Sequence, residues 1–265
     1  MVRFDGVVTE IVDATIAELR TIHDRLAALV AGLPADQLTA PSGAEEWTIA
    51  DVLSHMGSAA EIGWYSLEAA ATGERVDAPE NQEVWDRWNA MAPADQASSF
   101  VQSEEQTVAT LEGLSPERRE SITIDLGFMP QPLPLASIVG MRLNEQALHG
   151  WDVEVGLDPT AALSEKSAAL VAEHFSSTMT YMLGFVGKPA AVGPARVGIG
   201  GYTIVIADTV SLEAGDADTT ATFQGPLEAA IRLLAGRLKP QHTPEGVTVT
   251  GNVTLDDLRA VFPGY

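Results

Sequence analysis

The sequence contains no cysteine, which excludes disulfides, thiolate metal ligands and cysteine nucleophiles together. Cations are also scarce, with 15 Lys and Arg against 37 Asp and Glu and a net charge of −22. Nucleic acids and anionic membranes are bound through clustered Lys and Arg, so neither is an expected partner. No apolar run approaches the roughly 18 residues of a membrane span, and Met1 to Asp5 lack the apolar core of a signal peptide. These absences predict a cytoplasmic protein.

The remaining composition predicts two domains. The chain has 265 residues, 46% of them hydrophobic, which is enough for a buried core and more than one typical domain needs. Residues 1–160 carry 27 acidic and 8 basic residues and all five tryptophans, whereas residues 161–265 carry only 10 acidic and 7 basic residues. Asp158 and Pro159 lie at the junction of these two stretches, and they end the hydrophobic pattern that precedes them. We therefore predict one domain over 1–160 and another over 161–265.

The first domain has the hydrophobic spacing of helices. Apolar residues recur every three to five positions up to a Gly-Leu-Pro terminator at 32–34, and Thr48 and Asp51 resemble a capping box that starts a second helix. The first predicted helix ends near 33. Three more helices are predicted, from 48 to about 70, from 94 to 114 and from 135 to about 156. Four helices of this length predict an antiparallel four-helix bundle.

The second domain mixes the periods of helices and strands. Apolar residues alternate on both sides of Gly200 and Gly201, which predicts two strands joined by a tight turn. Weaker strand patterns cover 217–224 and 247–249, and predicted helices cover 164–183, 226–237 and a short stretch after Thr254. The fold class expected is therefore α+β, a four-helix bundle followed by a small α/β sheet domain.

Polar residues interrupt the apolar face of the fourth helix. Glu145 and His149 are four residues apart and share one side of the helix, with Asp152 one turn further along. Such groups facing an apolar core cost several kcal/mol without a partner, and a metal ion supplies one. His55 lies on the apolar face of the second helix. The pattern predicts a metal held by His55, Glu145 and His149, with Asp152 accepting an imidazole N–H.

Other interpretations of these residues stay open. An inward histidine is often only a hydrogen-bonded core residue, and two histidines with a carboxylate suit non-haem Fe(II) as well as zinc. A non-catalytic metal- or ligand-binding module is therefore an alternative to an enzyme, whereas nothing else in the sequence indicates the oxygen chemistry of an Fe(II) oxygenase. The chain has neither a serine-hydrolase elbow nor a P-loop.

Two stretches resemble a known family at these same residues. The segment 47–56 (WTIADVLSHM) resembles the "W-t-x-x-D-v-x-x-H-l" signature of mycothiol-dependent maleylpyruvate isomerases and their DinB-like relatives. The segment 142–153 (RLNEQALHGWDV) resembles that family's second signature, "R-x-x-E-x-x-x-H-x-x-D". The segments 233–237 and 246–252 resemble a weaker motif of the sterol-carrier-like domain that follows the bundle. Only the stretches around 72–92 and 184–200 have no counterpart in this resemblance.

The resemblance implies a chemistry for the site. It implies a zinc ion held by His55, Glu145 and His149, and mycothiol as a thiol cosubstrate whose sulfur becomes the nucleophile, so the missing cysteines are no obstacle. The thiolate would either isomerise an acid such as maleylpyruvate or transfer to an electrophile. Arg237 is the implied catalytic cation for a carboxylate or developing enolate, although it could equally be a solvated helix-end cation. Arg142 is expected to pair with a carboxylate of the scaffold. A monomer is favoured.

Overall fold

The computed structural model describes residues 5–127 and 129–264. Met1 to Phe4, which are among the residues expected to lack a signal-peptide core, lie outside the described residues. The chain divides into two compact units, Met1–Ala161 and Ala162–Tyr265. The first is helical and the second contains a sheet, so the two-domain α+β class is confirmed. No helix in the described part of the chain is both long enough and apolar enough to cross a membrane.

The first unit is built on four long helices. Helix α1 contacts α5 and α7, and α3 contacts the same two helices, so the four close into a bundle. Shorter helices fill the connections, and α4 occupies part of the stretch that the family signatures left unmatched. The bounds are α1 Asp5–Ala31, α2 Ala35–Leu38, α3 Ile49–Thr72, α4 Asn81–Asn89, α5 Pro93–Gly113, α6 Pro116–Ser121 and α7 Leu135–Leu157, with β1 Thr123–Ile124 pairing antiparallel with β2 Leu133–Pro134.

The start of α3 follows the sequence prediction. The Thr48 hydroxyl accepts a hydrogen bond from the backbone N–H of Asp51, and the Asp51 carboxylate accepts one from the backbone N–H of Thr48 at 2.9 Å. This reciprocal capping satisfies two of the amides that a helix start leaves without partners. Gly73 ends the helix in the left-handed conformation at φ 76°. The register of α3, and with it the direction of His55, is thereby defined at both ends.

The second unit is a five-stranded sheet with helices against it. The strand order is β5-β4-β3-β6-β7, in which β3 and β6 are parallel and the other neighbours antiparallel. Gly200 and Gly201, both at positive φ, form the predicted turn between β3 and β4. The bounds are α8 Glu165–Ser176, α9 Met182–Val186, β3 Ala195–Gly198, β4 Tyr202–Ile206, β5 Val210–Ala214, β6 Ala221–Gln224, α10 Leu227–Leu234, β7 Thr248–Gly251 and α11 Leu255–Val261.

One sequence prediction for this unit is wrong, and one of its strands has no counterpart among the predictions. The single helix over 164–183 is instead α8 and α9, because the hydroxyls of Ser176 and Ser177 bond the Glu173 carbonyl and end α8 early. Strand β5 was not predicted, since its pattern merges into a polar turn after β4.

His174, buried at the end of α8, lies 2.7 Å from the Thr178 hydroxyl, and burial lowers its pKa to about 4. It is therefore neutral at pH 7.

Candidate metal centre

Helices α3 and α7 bring three predicted ligands together. His55 lies on α3, whereas Glu145 and His149 lie one turn apart on α7. Each offers one ligand atom, and these atoms lie within 4.8 Å of one another. The Glu145 Oε2 atom is 3.3 Å from His55 Nε2 and 3.6 Å from His149 Nε2. The two imidazole rings meet edge to face with centroids 4.6 Å apart. The cluster thus converges on one point.

The loop before α3 packs closely on α7 and closes one side of this cluster. The backbone N–H of Gly43 donates to the Asp152 carbonyl at 2.8 Å, and a Cβ at Gly43 would lie 2.5 Å from a Val155 methyl. A Cβ at Gly156 would likewise lie 2.6 Å from the Pro41 carbonyl oxygen. Only glycine permits so close an approach. The loop can then place the Trp47 ring 5.2 Å from that of His55.

Asp152 orients one of the histidines. Its carboxylate is fully buried and lies 2.9 Å from His149 Nδ1. A carboxylate accepts from an N–H, so this contact assigns the proton to Nδ1 and leaves the lone pair of Nε2 on the side of Glu145. Metal-bound histidines commonly have such a partner. Asp152 therefore makes the contact that the sequence predicts, and it lies behind the ligand atoms.

A buried ion pair lies beside the cluster on α7. Arg142, one turn before Glu145, pairs with the fully buried carboxylate of Glu104 on α5 and donates to the Met56 carbonyl at 3.1 Å. Gln146 donates to the same carboxylate. Burial lowers the pKa of Arg142 to about 10, which still leaves it charged at pH 7. The expectation that Arg142 pairs with a scaffold carboxylate is confirmed.

Glu145 is ionised in this environment. Burial of the Glu145 carboxylate opposes its charge, but the hydrogen bond with His55 and the neighbouring His149 and Arg142 side chains outweigh that penalty. Together they lower the pKa of Glu145 to about 2. The side chains of His55 and Glu145 are 36% and 33% exposed, so a small molecule can reach them, whereas His149 is only 10% exposed. The cluster is charged and open on one side.

The donor set and its spacing fit a zinc ion. Two ligands held by one tetrahedral zinc at about 2.0–2.1 Å lie about 3.3–3.4 Å from each other. The two separations that involve Glu145 Oε2, 3.3 and 3.6 Å, are close to that value. Two neutral imidazoles and one carboxylate are also a common set for zinc sites that keep a further position open. The donor types and these two separations therefore suit such an ion, and the three ligand atoms all lie within 4.8 Å of one another.

We expect Asp152→Asn to weaken zinc binding about ten- to hundredfold, because it removes the anionic acceptor that orients His149. Titration of the metal-free protein against a fluorescent zinc chelator measures the change. Glu154→Gln is the matched control, since Glu154 lies on the same helix but pairs with Arg25. Equal zinc affinities for Asp152→Asn and the wild-type protein would contradict the role given to Asp152.

The sequence did not reveal a further part of the neighbourhood of His55. Trp47 and Trp85 are 39% and 43% exposed, and both line a cavity that includes His55. Trp85 lies on α4, in the stretch without a family counterpart. In the sequence, Trp85 is only a tryptophan on a short polar helix, and such a residue does not by itself indicate a binding site.

Arg237, the predicted catalytic cation, lies in the second unit, just after α10. It is 8% exposed, and its guanidinium donates to the Ala235 carbonyl at 3.2 Å. Its expected position near the last carbonyls of a helix is correct, but it is buried rather than solvated. Gly236, at φ 72°, makes the turn that directs the chain there. The catalytic assignment of Arg237 stays a prediction.

Comparison with known proteins places the bundle in a family. The family model described as the mycothiol maleylpyruvate isomerase N-terminal domain matches residues 19–154, about half of the chain. This match spans all three candidate ligands. The chain belongs to this family. Two uncharacterized proteins of Mycobacterium tuberculosis, one from strain CDC 1551 and one from strain H37Rv, are each 27% identical over 154 residues. That alignment covers 56% of this chain and 72% of theirs.

Solved structures extend the likeness to the whole fold. A crystal structure of the mycothiol-dependent maleylpyruvate isomerase matches with a TM-score of 0.62, and that of a histidine-to-alanine mutant matches with 0.63. Both are 16% identical and cover 91% of this chain and 94% of their own. At this identity the likeness establishes the fold, in which the bundle is followed by the sheet domain.

Proposed function

We propose that the protein is a zinc-dependent enzyme that uses mycothiol to isomerise a cis-unsaturated acid of the maleylpyruvate type. The observation that carries the proposal is the convergence of ligand atoms of His55, Glu145 and His149 within 4.8 Å of one another at a partly buried point of the bundle. Family membership supports the thiol, and the spacing supports the metal. A zinc ion bound by these residues would supply an open position at which a thiol loses its proton near neutral pH.

The protein's own residues prepare this chemistry. Glu145 contributes a fixed negative charge because its pKa is about 2. Asp152 holds the Nδ1 proton of His149 and with it the direction of Nε2. The buried Arg142–Glu104 pair fixes the turn of α7 that precedes Glu145. These contacts hold the ligands in place before the substrates arrive.

In the proposed reaction, the thiolate sulfur forms a bond to one alkene carbon of the acid. The alkene electron pair moves into the conjugated carbonyl as an enolate, and the former double bond can then rotate. Return of the electron pair re-forms the alkene in the trans geometry and expels the thiolate, so the thiol is regenerated. The developing enolate and the carboxylates need a cation, for which we propose Arg237.

A thiol panel on the zinc-loaded protein tests this function. Maleylpyruvate is supplied with mycothiol, with glutathione or with no thiol, and fumarylpyruvate is followed by its ultraviolet absorbance. We expect conversion with mycothiol, none without a thiol, and none after zinc removal. A bimane-type electrophile supplied with mycothiol tests the alternative S-transferase reaction. Zinc-loaded protein that converts neither substrate would instead be the non-catalytic binding module.

We expect Arg237→Ala to lower kcat/KM for the acid about ten- to hundredfold, as for the loss of a hydrogen bond to a charged group. Arg237→Lys should recover part of that loss because it restores the charge without the planar fork. Arg196→Ala is the control, since Arg196 pairs with Glu213 on the strands of the same unit. Steady-state kinetics in which Arg237→Ala and Arg196→Ala behave alike would remove Arg237 from the mechanism.

A further inference from the structure

A hydrogen-bonded ion-pair network spans three helices beside the candidate metal centre. It consists of Arg142 and Gln146 on α7, Glu104 on α5 and the Met56 carbonyl on α3, and we name it the Arg142 network. The Arg142 guanidinium pairs with Glu104 and donates to the Met56 carbonyl at 3.1 Å, and the Gln146 amide donates to Glu104. Met56 directly follows His55 in the chain. The network therefore joins the helix of two candidate ligands to the backbone beside the third.

The network and the ligands form neighbouring rows on α7. Arg142 and Gln146 are four residues apart, and so are Glu145 and His149, so each pair lies along one side of the helix. Because each residue turns an α-helix by about 100°, an offset of three residues places the two rows about 60° apart. Arg142 and Gln146 both bond the single carboxylate of Glu104. That shared partner fixes the rotation of α7 about its axis, and with it the direction of the ligand row.

Two contacts hold α7 against α3 and the loop before it, one on each side of the ligand cluster. On the N-terminal side of the α7 ligands, Arg142 bonds the Met56 carbonyl of α3. On their C-terminal side, the backbone N–H of Gly43 donates to the Asp152 carbonyl at 2.8 Å. Both contacts matter to the cluster, because His55 belongs to the other helix and metal sites require ligand distances within about 0.2 Å of their usual values.

The Arg142 network has costs that its geometry can explain. The Glu104 side chain is fully buried and that of Arg142 is only 12% exposed. Ion pairs buried in this way often add nothing to the stability of a fold, because both charges lose their hydration. Arg142 also brings a positive charge close to Glu145, where it repels a bound cation. A cation beside a candidate metal site is therefore better explained by the contacts it makes than by its charge.

We propose that the Arg142 network is a positioning device for the candidate metal centre, which holds α3 against α7 so that the ligand atom of His55 meets those of Glu145 and His149. Zinc affinity depends on the network, whereas the stability of the bundle does not require it. Arg142 is thus a positioning residue and not a catalytic one. This inference rests on the proposed function, because it takes the cluster as a zinc site.

The double variant Glu104→Leu with Arg142→Met tests the inference without changing the net charge beside the cluster. We expect its zinc Kd to rise about ten- to hundredfold, as for the loss of other contacts that orient metal ligands. Titration of the metal-free protein against a fluorescent zinc chelator measures this change. The midpoint of urea unfolding of the metal-free variant should stay near that of the wild type, because well-packed apolar side chains can replace a buried ion pair.

Leu111→Ala is the matched control for stability. Leu111 is buried on α5, the helix that carries Glu104, and it is not part of the Arg142 network. Its truncation leaves a cavity in the core and should lower the midpoint of urea unfolding. We expect the zinc Kd of the folded Leu111→Ala protein to equal that of the wild type.

Arg142→Lys tests the geometry with the charge retained. Lysine can neutralise Glu104, but it lacks the planar fork with which arginine bonds Glu104 and the Met56 carbonyl together. We therefore expect a zinc Kd between those of the wild type and the double variant.

Wild-type zinc affinity in the double variant would overturn the inference, and if that variant does not fold, wild-type affinity in Arg142→Lys would do so. An equal rise of the zinc Kd in Leu111→Ala would also overturn it, since the loss would then follow from instability. The proposed function fails separately. Zinc binding that depends on the network without any thiol turnover would support the inference and contradict the function. Mycothiol turnover by a protein whose zinc Kd neither network variant changes would support the function and contradict the inference.

Discussion

Replacing His149 with alanine will leave the protein without stoichiometric zinc and without thiol-dependent turnover. His149 contributes one of three converging ligand atoms, and only Glu145 and His55 would remain to hold the ion. Two partly exposed ligands do not retain zinc against water, because catalytic zinc sites take three ligands from the protein. Elemental analysis after dialysis should find about one zinc per chain in the wild type and far less in His149→Ala.

The same loss is expected for His55→Ala and for Glu145→Gln, which keeps the shape of the side chain but removes its charge. His242→Ala is the matched control, because His242 lies in the second unit and outside the three-residue cluster. It should retain both zinc and activity. Full zinc content in His149→Ala would show that the metal, if bound, lies elsewhere.

Replacing Glu104 with alanine will destabilise the first unit by about 3–5 kcal/mol, the cost of leaving a buried charge without its partner. Glu104 is fully buried on α5, and the Arg142 guanidinium that it neutralises has little access to water. All five tryptophans lie in this unit, so urea unfolding followed by tryptophan fluorescence reports on it alone. The measurement uses metal-free protein, which separates the ion pair from the metal.

The neighbouring carboxylate provides the comparison. Glu105 is about half exposed and pairs with Arg20 and with His23, so Glu105→Ala should cost about 1–2 kcal/mol, less than the loss of the buried carboxylate. The double variant Glu104→Leu with Arg142→Met removes both charges and should be more stable than Glu104→Ala. An equal loss of stability in Glu104→Ala and Glu105→Ala would mean that the buried pair is not the cause.

Local signals made the bundle predictable. The long helices of the first unit have continuous apolar spacing, and the reciprocal hydrogen bonds of Thr48 and Asp51 are encoded within four residues. In the second unit the same reasoning failed where side chains compete with the backbone, as at Ser176 and Ser177. Strand pairing there is non-local, with β3 between β4 and β6, and no short pattern encodes such an order.

The candidate site was predictable only where it consists of helical spacing. Glu145, His149 and Asp152 share one face of α7 because of their intervals, so their proximity follows from the helix itself. That His55 meets them depends on the packing of α3 against α7. The position of His55 on an apolar helix face and the motif resemblance both suggested this packing, but helical periodicity could not establish it. Trp85 and Glu46 line the same cavity because a short helix and a loop bring them together. Their spacing in the sequence does not predict this.

The most direct test of the zinc–thiol account is X-ray absorption at the zinc edge, recorded before and after mycothiol is added. Since the chain has no cysteine, a thiolate sulfur next to the zinc must come from the added thiol. We predict nitrogen and oxygen neighbours at about 2.0–2.1 Å without the thiol, and one additional sulfur at about 2.3 Å with it. A spectrum that saturating mycothiol leaves unchanged would contradict the account.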